Sequence, residues 1–302
     1  MSDGSRRTVI VALLANAGIA VAKLAAAAVT GSSAMFAEAI HSVADTGNEV
    51  LLIVAQRRGG REAYFWALLA AIGVFVVGGA IAIYQGIHEL VNPTPVESFG
   101  IAYAVLGVAF VLEAISFLQA TRHLRAEARR FDRDLLSHVV LTSDPTTRAV
   151  FAEDAAALVG VTTAFVGIGL HQLTGSVVPD AVASILIGLV LAGVALFLGE
   201  RNRDFLVGEE VSPAAKARIA GYIAAYPGIV EVRDLTVTFT GPDEVWVVAR
   251  VDVDDGLTAR GVEALVVDVE RTLIQRSAAI TRADIVPIGS APVLRPGQVD
   301  QM

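Results

Sequence analysis

Apolar residues dominate six separate stretches of the chain, each about 20 residues long or longer and each bounded by polar, glycine or proline residues. A helix of that length crosses the hydrocarbon core of a bilayer. The pattern predicts six transmembrane helices: Thr8–Thr30, Ala34–Gln56, Tyr64–Leu90, Phe99–Ala120, Ala149–Leu173 and Val177–Leu198. The first stretch also has the basic start of a signal peptide, but its length, its Lys23 and the five later stretches favour a span.

The pattern changes after Leu198, where charged residues begin to recur every few positions. Helical periodicity and strand-like alternation follow one another there, with turn residues between them. The expected elements are a helix over Pro213–Tyr226, strands over Ile229–Thr240 and Glu244–Asp252, a helix over Ala259–Ala278 and a closing strand over Asp284–Ile288. The predicted fold class is therefore a membrane all-α bundle of six helices, followed by a small α+β domain of αββα type.

The arginines near the predicted spans lie on one side of the bundle. Such an excess marks the cytoplasmic side, so both termini and the C-terminal domain are expected to be cytoplasmic. The arginines of that side are Arg6, Arg7, Arg57, Arg58, Arg61, Arg122, Arg125, Arg129, Arg130, Arg133, Arg148, Arg201 and Arg203. Within this set, Arg122–Arg133 fits either a basic amphipathic helix at the anionic membrane surface or a solvated linker.

Composition agrees with a membrane protein and limits its chemistry. The mean hydropathy of +0.62, with 54% hydrophobic and 18% charged residues, is too apolar for a soluble chain of 302 residues. The net charge of -8 makes a nucleic acid an improbable partner. The chain has no cysteine, so any metal ion must be held by His, Asp, Glu or backbone oxygens.

Ionisable residues inside the predicted spans are functional candidates, because each costs roughly 2.5–3.5 kcal/mol at the centre of a membrane helix. His41 and Asp45 lie four residues apart in the second span, so both side chains share one helix face. An imidazole and a carboxylate that converge suit Zn²⁺ and, less selectively, Mn²⁺, Fe²⁺ or Co²⁺. The pair therefore predicts part of a metal site.

Two ligands do not complete such a site, and the fifth span offers more. Asp154 can supply the third ligand, and Glu153, Asn48 or water can complete a tetrahedral shell. The alternative is a set of interhelical hydrogen bonds, a role that Ser, Thr, Asn and Gln fill more often than acids do. For Asn48 a helix–helix contact stays open as an alternative to a ligand role.

Two other intramembrane charges are given structural roles. Asp180 follows Pro179 at the outer end of the sixth span, where an acid favours the N-terminus of its own helix, although it can also line an exit path. Lys23 lies close enough to the outer end of the first span to reach the interface or to pair with an acid.

At these positions the chain closely resembles the cation diffusion facilitator family of proton-coupled zinc and related metal exporters. The resemblance rests on the second-span sequence from Thr30 to Asn48, with its His41-x-x-x-Asp45 pair, and on Glu153-Asp-Ala-Ala-Ala-Leu-Val-Gly160 in the fifth span. The fifth-span form is similar to the subgroup that includes zinc transporter nine. Many members have His-x-x-x-Asp there, and Val150 stands at the histidine position of this chain. One nitrogen ligand is thus missing from the family's four-ligand site.

The resemblance also implies how the chain is organised. Residues 1–203 are expected to form the transport domain, residues 204–290 a cytoplasmic dimerisation domain, and residues 291–302 a flexible tail. A homodimer follows from the same resemblance. Because no histidine lies beyond His171, a regulatory zinc cluster in the C-terminal domain is not expected.

The sequence thus predicts a multi-pass transporter of the cell (inner) membrane that exports divalent cations, with Zn²⁺ as the expected ion and protons as the counter-ion. A metal needs the neutral imidazole of His41 and a proton makes it cationic, so the two compete. No enzyme activity, catalytic residue or cofactor is expected. The alternatives from other classes are an intramembrane metallohydrolase, which lacks a His-Glu-x-x-His helix here, and a metal-sensing receptor.

Overall fold

Most of the chain is helical. A computed structural model of the protein describes residues 3–94, 98–130 and 133–288. Its contacts divide the chain near Leu206 into two compact units. The helices of the first unit are α1 (Asp3–Thr30), α2 (Ser33–Arg58), α3 (Gly60–Gly73), α4 (Ile81–Val91), α5 (Phe99–Arg130), α6 (Leu135–Leu141), α7 (Pro145–Thr174) and α8 (Val178–Val207), with a π-helical segment Val74–Ala80 that joins α3 to α4.

Each of the six predicted spans coincides with a helix, but the count of six is not confirmed by length and apolarity. Within the described residues, four helices are long and apolar enough to cross a membrane: Gly60–Val91, Phe99–Arg129, Pro145–Thr174 and Val178–Val207. Counted over the described side chains alone, Asn16–Thr30 of α1 is a shorter apolar helix. The second helix contains His41, Asp45 and Glu49, which lower its apolarity.

The basic segment after the fourth span is helical as far as Arg130. α5 runs without a break from Phe99 to Arg130, so the basic residues continue the helix of the fourth span. Helix-forming residues such as Ala126 and Glu127 continue the helical turn there. Residues 131 and 132 lie outside the described residues.

Arg148, in the first turn of α7, is fully buried among protein atoms. Its guanidinium donates to the carbonyl oxygens of Val139, at 3.3 Å, and of Thr142, and to the side chain of Asn202, at 3.3 Å. It also lies 5.0 Å from the ring centre of Phe205. Arg148 therefore joins the segment before α7 to the end of α8.

Small residues allow the helices of this unit to approach closely. A Cβ atom on Gly188 of α8 would lie 2.7 Å from the carbonyl oxygen of Gly79 and 2.9 Å from the backbone nitrogen of Ile83. The π-helical segment and the start of α4 thus contact the α8 backbone. Close backbone approach is how membrane helices gain packing energy, since lipid offers no hydrophobic drive for association.

The second unit is a small α+β domain, as predicted. Its elements are α9 (Pro213–Ala224), β1 (Ile229–Gly241), β2 (Glu244–Val253), α10 (Ala259–Arg276) and β3 (Ile280–Pro287). The sheet order is β1-β2-β3, with β1 antiparallel and β3 parallel to β2. β3 begins at Ile280, four residues before the predicted start, because Ile280, Ala283 and Ile285 all enter the core. The predicted tail, 291–302, lies outside the described residues.

We expect Gly188→Ala to destabilise the helical unit by about 1–3 kcal/mol, because the added methyl group overlaps the Gly79 carbonyl oxygen. Gly193, on the same helix, has no atom within 4 Å of an added Cβ, so Gly193→Ala is the matched control. The control is expected to be neutral or to stabilise by up to about 1 kcal/mol. Thermal unfolding of the detergent-solubilised variants measures both effects, and equal midpoints would contradict the packing described here.

Candidate cation site in the helical unit

A cavity opens between four helices of the first unit. Five carboxylic acids line it, together with two serines, an asparagine and three aliphatic residues. The lining residues are Asn16 and Ile19 of α1, Ser42, Asp45, Glu49 and Leu52 of α2, Glu113 and Ser116 of α5, and Val150, Glu153 and Asp154 of α7. So many carboxyl groups in one membrane-embedded space favour a cation as its occupant.

His41 and Asp45 form the contact that their spacing predicts. The Nε2 atom of His41 lies 3.3 Å from Oδ2 of Asp45, one helical turn further along α2. Asp45 lines the cavity, whereas His41 is buried behind it with only 1% of its surface exposed. The imidazole is therefore next to the cavity and is not part of its wall.

The two acids of the fifth predicted span both reach the cavity. Asp154 accepts a hydrogen bond from the hydroxyl group of Ser116 at 2.8 Å, and Glu153 accepts one from the amide of Asn48. Asn48 thus makes the helix–helix contact that was its alternative role. Neighbouring side chains on a helix point about 100° apart, and both Glu153 and Asp154 nevertheless line the cavity.

The predicted ligands are brought near one another without forming a closed site. Asp45, Glu153 and Asp154 line one cavity, and His41 and Asn48 contact two of them. Across the parts of the chain that the structure describes, no three His, Asp or Glu side chains are arranged as a ready metal cluster. The ligand set therefore stays a prediction.

Asn16, Glu49 and Glu113 line the cavity, although the sequence analysis gave them no role. Asn16 donates to Glu49 at 2.9 Å and so joins α1 to α2 at the cavity. Glu113 also lines the cavity. It is the one acid in the apolar stretch Phe99–Ala120, so the rule that singled out the other intramembrane acids would have found it.

Asp180 lies in the first turn of α8, as predicted, and also contacts the start of α2. Its carboxylate accepts hydrogen bonds from the hydroxyl of Ser32 at 2.7 Å and from the backbone nitrogen and hydroxyl of Ser33 at 2.7 and 3.0 Å. It therefore satisfies the N-terminus of α2, a neighbouring helix, in addition to lying in the first turn of α8. Only 1% of its surface is exposed.

Residues 9–207 match the family model described as the cation efflux transmembrane domain. The chain belongs to the cation efflux family. This is the cation diffusion facilitator family that the motifs of the second and fifth predicted spans resemble. The matched residues include every side chain that lines the cavity.

Similar proteins are known from animals and plants. The chain is 32% identical to the mitochondrial proton-coupled zinc antiporter SLC30A9 of Xenopus laevis over 269 residues, which cover 85% of this chain and 48% of that protein. It is 28% identical to metal tolerance protein C4 of Arabidopsis thaliana, covering 82% and 57%. The chain thus spans about half the length of the curated relatives it matches.

Among solved structures, the zinc form of the transporter CzrB matches at 20% identity, over 29% of this chain and 98% of that one. The TM-score of 0.25 is too low to support a structural inference.

The predicted location in the cell (inner) membrane was wrong. The SLC30A9 relatives, which match 85% of this chain, are named as mitochondrial proteins. A multi-pass membrane protein still agrees with the family and the apolar helices.

The absence of cysteine allows the cavity to be tested directly. We expect Ser116→Cys to react with a small water-soluble thiol reagent, because Ser116 lines the cavity. Ser184→Cys is the matched control, since Ser184 is fully buried and donates to the carbonyl oxygen of Ala82. Mass spectrometry of the labelled protein measures the extent of reaction. Equal labelling of both variants would contradict a water-accessible cavity at Ser116.

Proposed function

We propose that the protein is a divalent metal cation efflux transporter that exchanges Zn²⁺ for protons by alternating access. The observation that carries this proposal is the cavity with five carboxylic acids in a unit that belongs to the cation efflux family. The name of the SLC30A9 relatives, proton-coupled zinc antiporters, supports both the ion and its coupling. Transport is proposed in preference to a metallohydrolase or a metal-sensing receptor.

We further propose that all six predicted spans cross the membrane, including α1 and α2. Burial supports this for α2, because its side chains Glu38, His41 and Asn48 are enclosed by other helices. A polar residue that faces the bundle interior does not meet lipid, so the low apolarity of α2 does not prevent it from crossing.

The transported ion is proposed to bind Asp45 and Asp154 on the cavity wall, with the imidazole of His41 beside Asp45 as a nitrogen ligand. Glu153 and Asn48 contact each other at the same cavity and are the next candidates. Val150 lines the wall where many family members have a histidine. An oxygen-rich set with one nitrogen favours Zn²⁺ less strictly, so transport of Mn²⁺ or Co²⁺ is also proposed.

Proton coupling follows from the chemistry of the same side chains. A metal ion needs a neutral imidazole and ionised carboxylates, and protonation of either weakens its binding. Protons that enter from one side therefore release the metal to that side.

The second unit is proposed to serve dimerisation, with residues 1–203 as the transport domain and 204–290 as the dimerisation domain. The second unit has its own core, in which Val237, Val247, Ala249 and Val251 are fully buried. A unit with its own core can pair with a second copy without contributing to the cavity. The homodimer belongs to this proposal.

We expect His41→Ala and Asp154→Ala to reduce proton-driven Zn²⁺ uptake in proteoliposomes to the rate of empty liposomes, because each removes a proposed ligand. His88→Ala is the matched control, since His88 is an exposed histidine of α4 and does not line the cavity. Zn²⁺ and pH indicators inside the vesicles measure the two fluxes together. Unchanged exchange by both variants would refute the proposed site.

A further inference from the structure

One cation is already held inside the bundle. The ammonium group of Lys23, in α1, is fully buried and lies 3.0 Å from Oε2 of Glu38 in α2. A second carboxylate, that of Glu113 in α5, lies 3.9 Å from the same nitrogen. A buried charge is stable only when it is paired, so Lys23 depends on these acids.

Glu38 also contacts a third helix, α7. Its other oxygen, Oε1, lies against the backbone of Gly160 in α7, where an added Cβ would be only 2.2 Å away. The Lys23–Glu38 pair is therefore enclosed by α1, α2 and α7 together. Neither residue lines the cavity.

Glu113 links this ion pair to the cavity. It lines the cavity with Asp45 and Asp154, and it is also the second acid near Lys23. About 19% of its side chain is exposed, whereas Lys23 and Glu38 are completely enclosed. Glu113 is thus placed between a resident cation and the space proposed for the transported one.

We propose that Glu113 is a further ligand of the transported cation and that Lys23 is the internal counter-ion which holds Glu113 when the cavity is empty. This inference rests on the proposed transport function. An empty cavity lined by five acids is unfavourable, because like charges repel at short range. Lys23 offsets part of that charge through Glu113.

Glu113 can also replace the nitrogen ligand that is missing at Val150. Glu113 lines the same cavity as Val150 and offers a carboxylate oxygen to an ion there. Lys23 and the metal ion then compete for Glu113. The strength of the Lys23 contact sets the affinity of the cavity for the metal.

Zinc binding to the full chain in lipid nanodiscs, measured by isothermal titration calorimetry, tests this competition. Glu113→Gln is expected to weaken Zn²⁺ binding by about tenfold or more, because a charged ligand is lost. Glu38→Gln is expected to weaken binding by about fivefold or more, because Lys23 then pairs with Glu113 alone. The double variant Lys23→Met/Glu38→Gln is expected to strengthen binding, since the competing cation is gone and Glu38 is not left as a buried charge without its partner.

Two controls separate this role from a structural one. In a Glu113→Gln background, the Glu38→Gln and Lys23→Met/Glu38→Gln changes are expected to leave Zn²⁺ affinity unaltered. Glu89→Gln changes another buried glutamate, which accepts from Thr94 away from the cavity, and should bind Zn²⁺ as the unmodified chain does. The absorption bands of bound Co²⁺ give a second measurement, expected to change for Glu113→Gln and not for Glu89→Gln.

The results distinguish failure of this inference from failure of the proposed transport function. If the Glu38→Gln and double variants shift Zn²⁺ affinity in the same direction, or if Glu113→Gln binds Zn²⁺ and Co²⁺ like the unmodified chain, the inference is overturned while transport stands. If the unmodified chain neither binds nor transports Zn²⁺, the proposed function fails and this inference fails with it.

Discussion

The helical unit depends on the compensation of charge inside an apolar bundle. Each buried ionisable side chain loses the solvation that water would give it, and removing one partner of a buried pair typically costs about 3–5 kcal/mol. Lys23 of α1 is therefore bound to Glu38 of α2, and Asp180 of α8 to the first residues of α2. These bonds join different helices, so they fix how α1, α2 and α8 are arranged.

The need to compensate buried charge also sets the cavity apart from the rest of the bundle. Lys23 and Arg148 are almost completely enclosed by their partners, but Asp45, Glu49, Glu113, Glu153 and Asp154 share one space with few donors. Ser116, Asn48 and Asn16 each give one hydrogen bond to this group. Among the described residues no lysine, arginine or histidine lines the cavity, and Lys23 balances its acids only in part, through Glu113. A transported cation or protons can supply the balance, which is why a site of this kind suits exchange between them.

Much of the fold was predictable because hydropathy and periodicity are local properties. The ends of α2, α7 and β2 lie within a few residues of their predicted positions. The i, i+4 spacing of His41 and Asp45 also predicted their contact correctly. Contacts between helices were not predictable, since a polar stripe does not reveal which neighbour it meets. The hydrogen bonds from Ser116 to Asp154 and from Ser32 to Asp180 join residues 38 and 148 positions apart.

Gly160 shows what the structure adds to the information in the sequence. The sequence suggests only that a small residue there permits close helix packing. In the structure its missing side chain makes room for the Glu38 carboxylate, which in turn holds Lys23. An alanine at this position would displace Glu38 and expose Lys23 to Glu113 alone. A glycine of α7 therefore controls a charge on α1, and through it the charge balance of a cavity that neither residue lines.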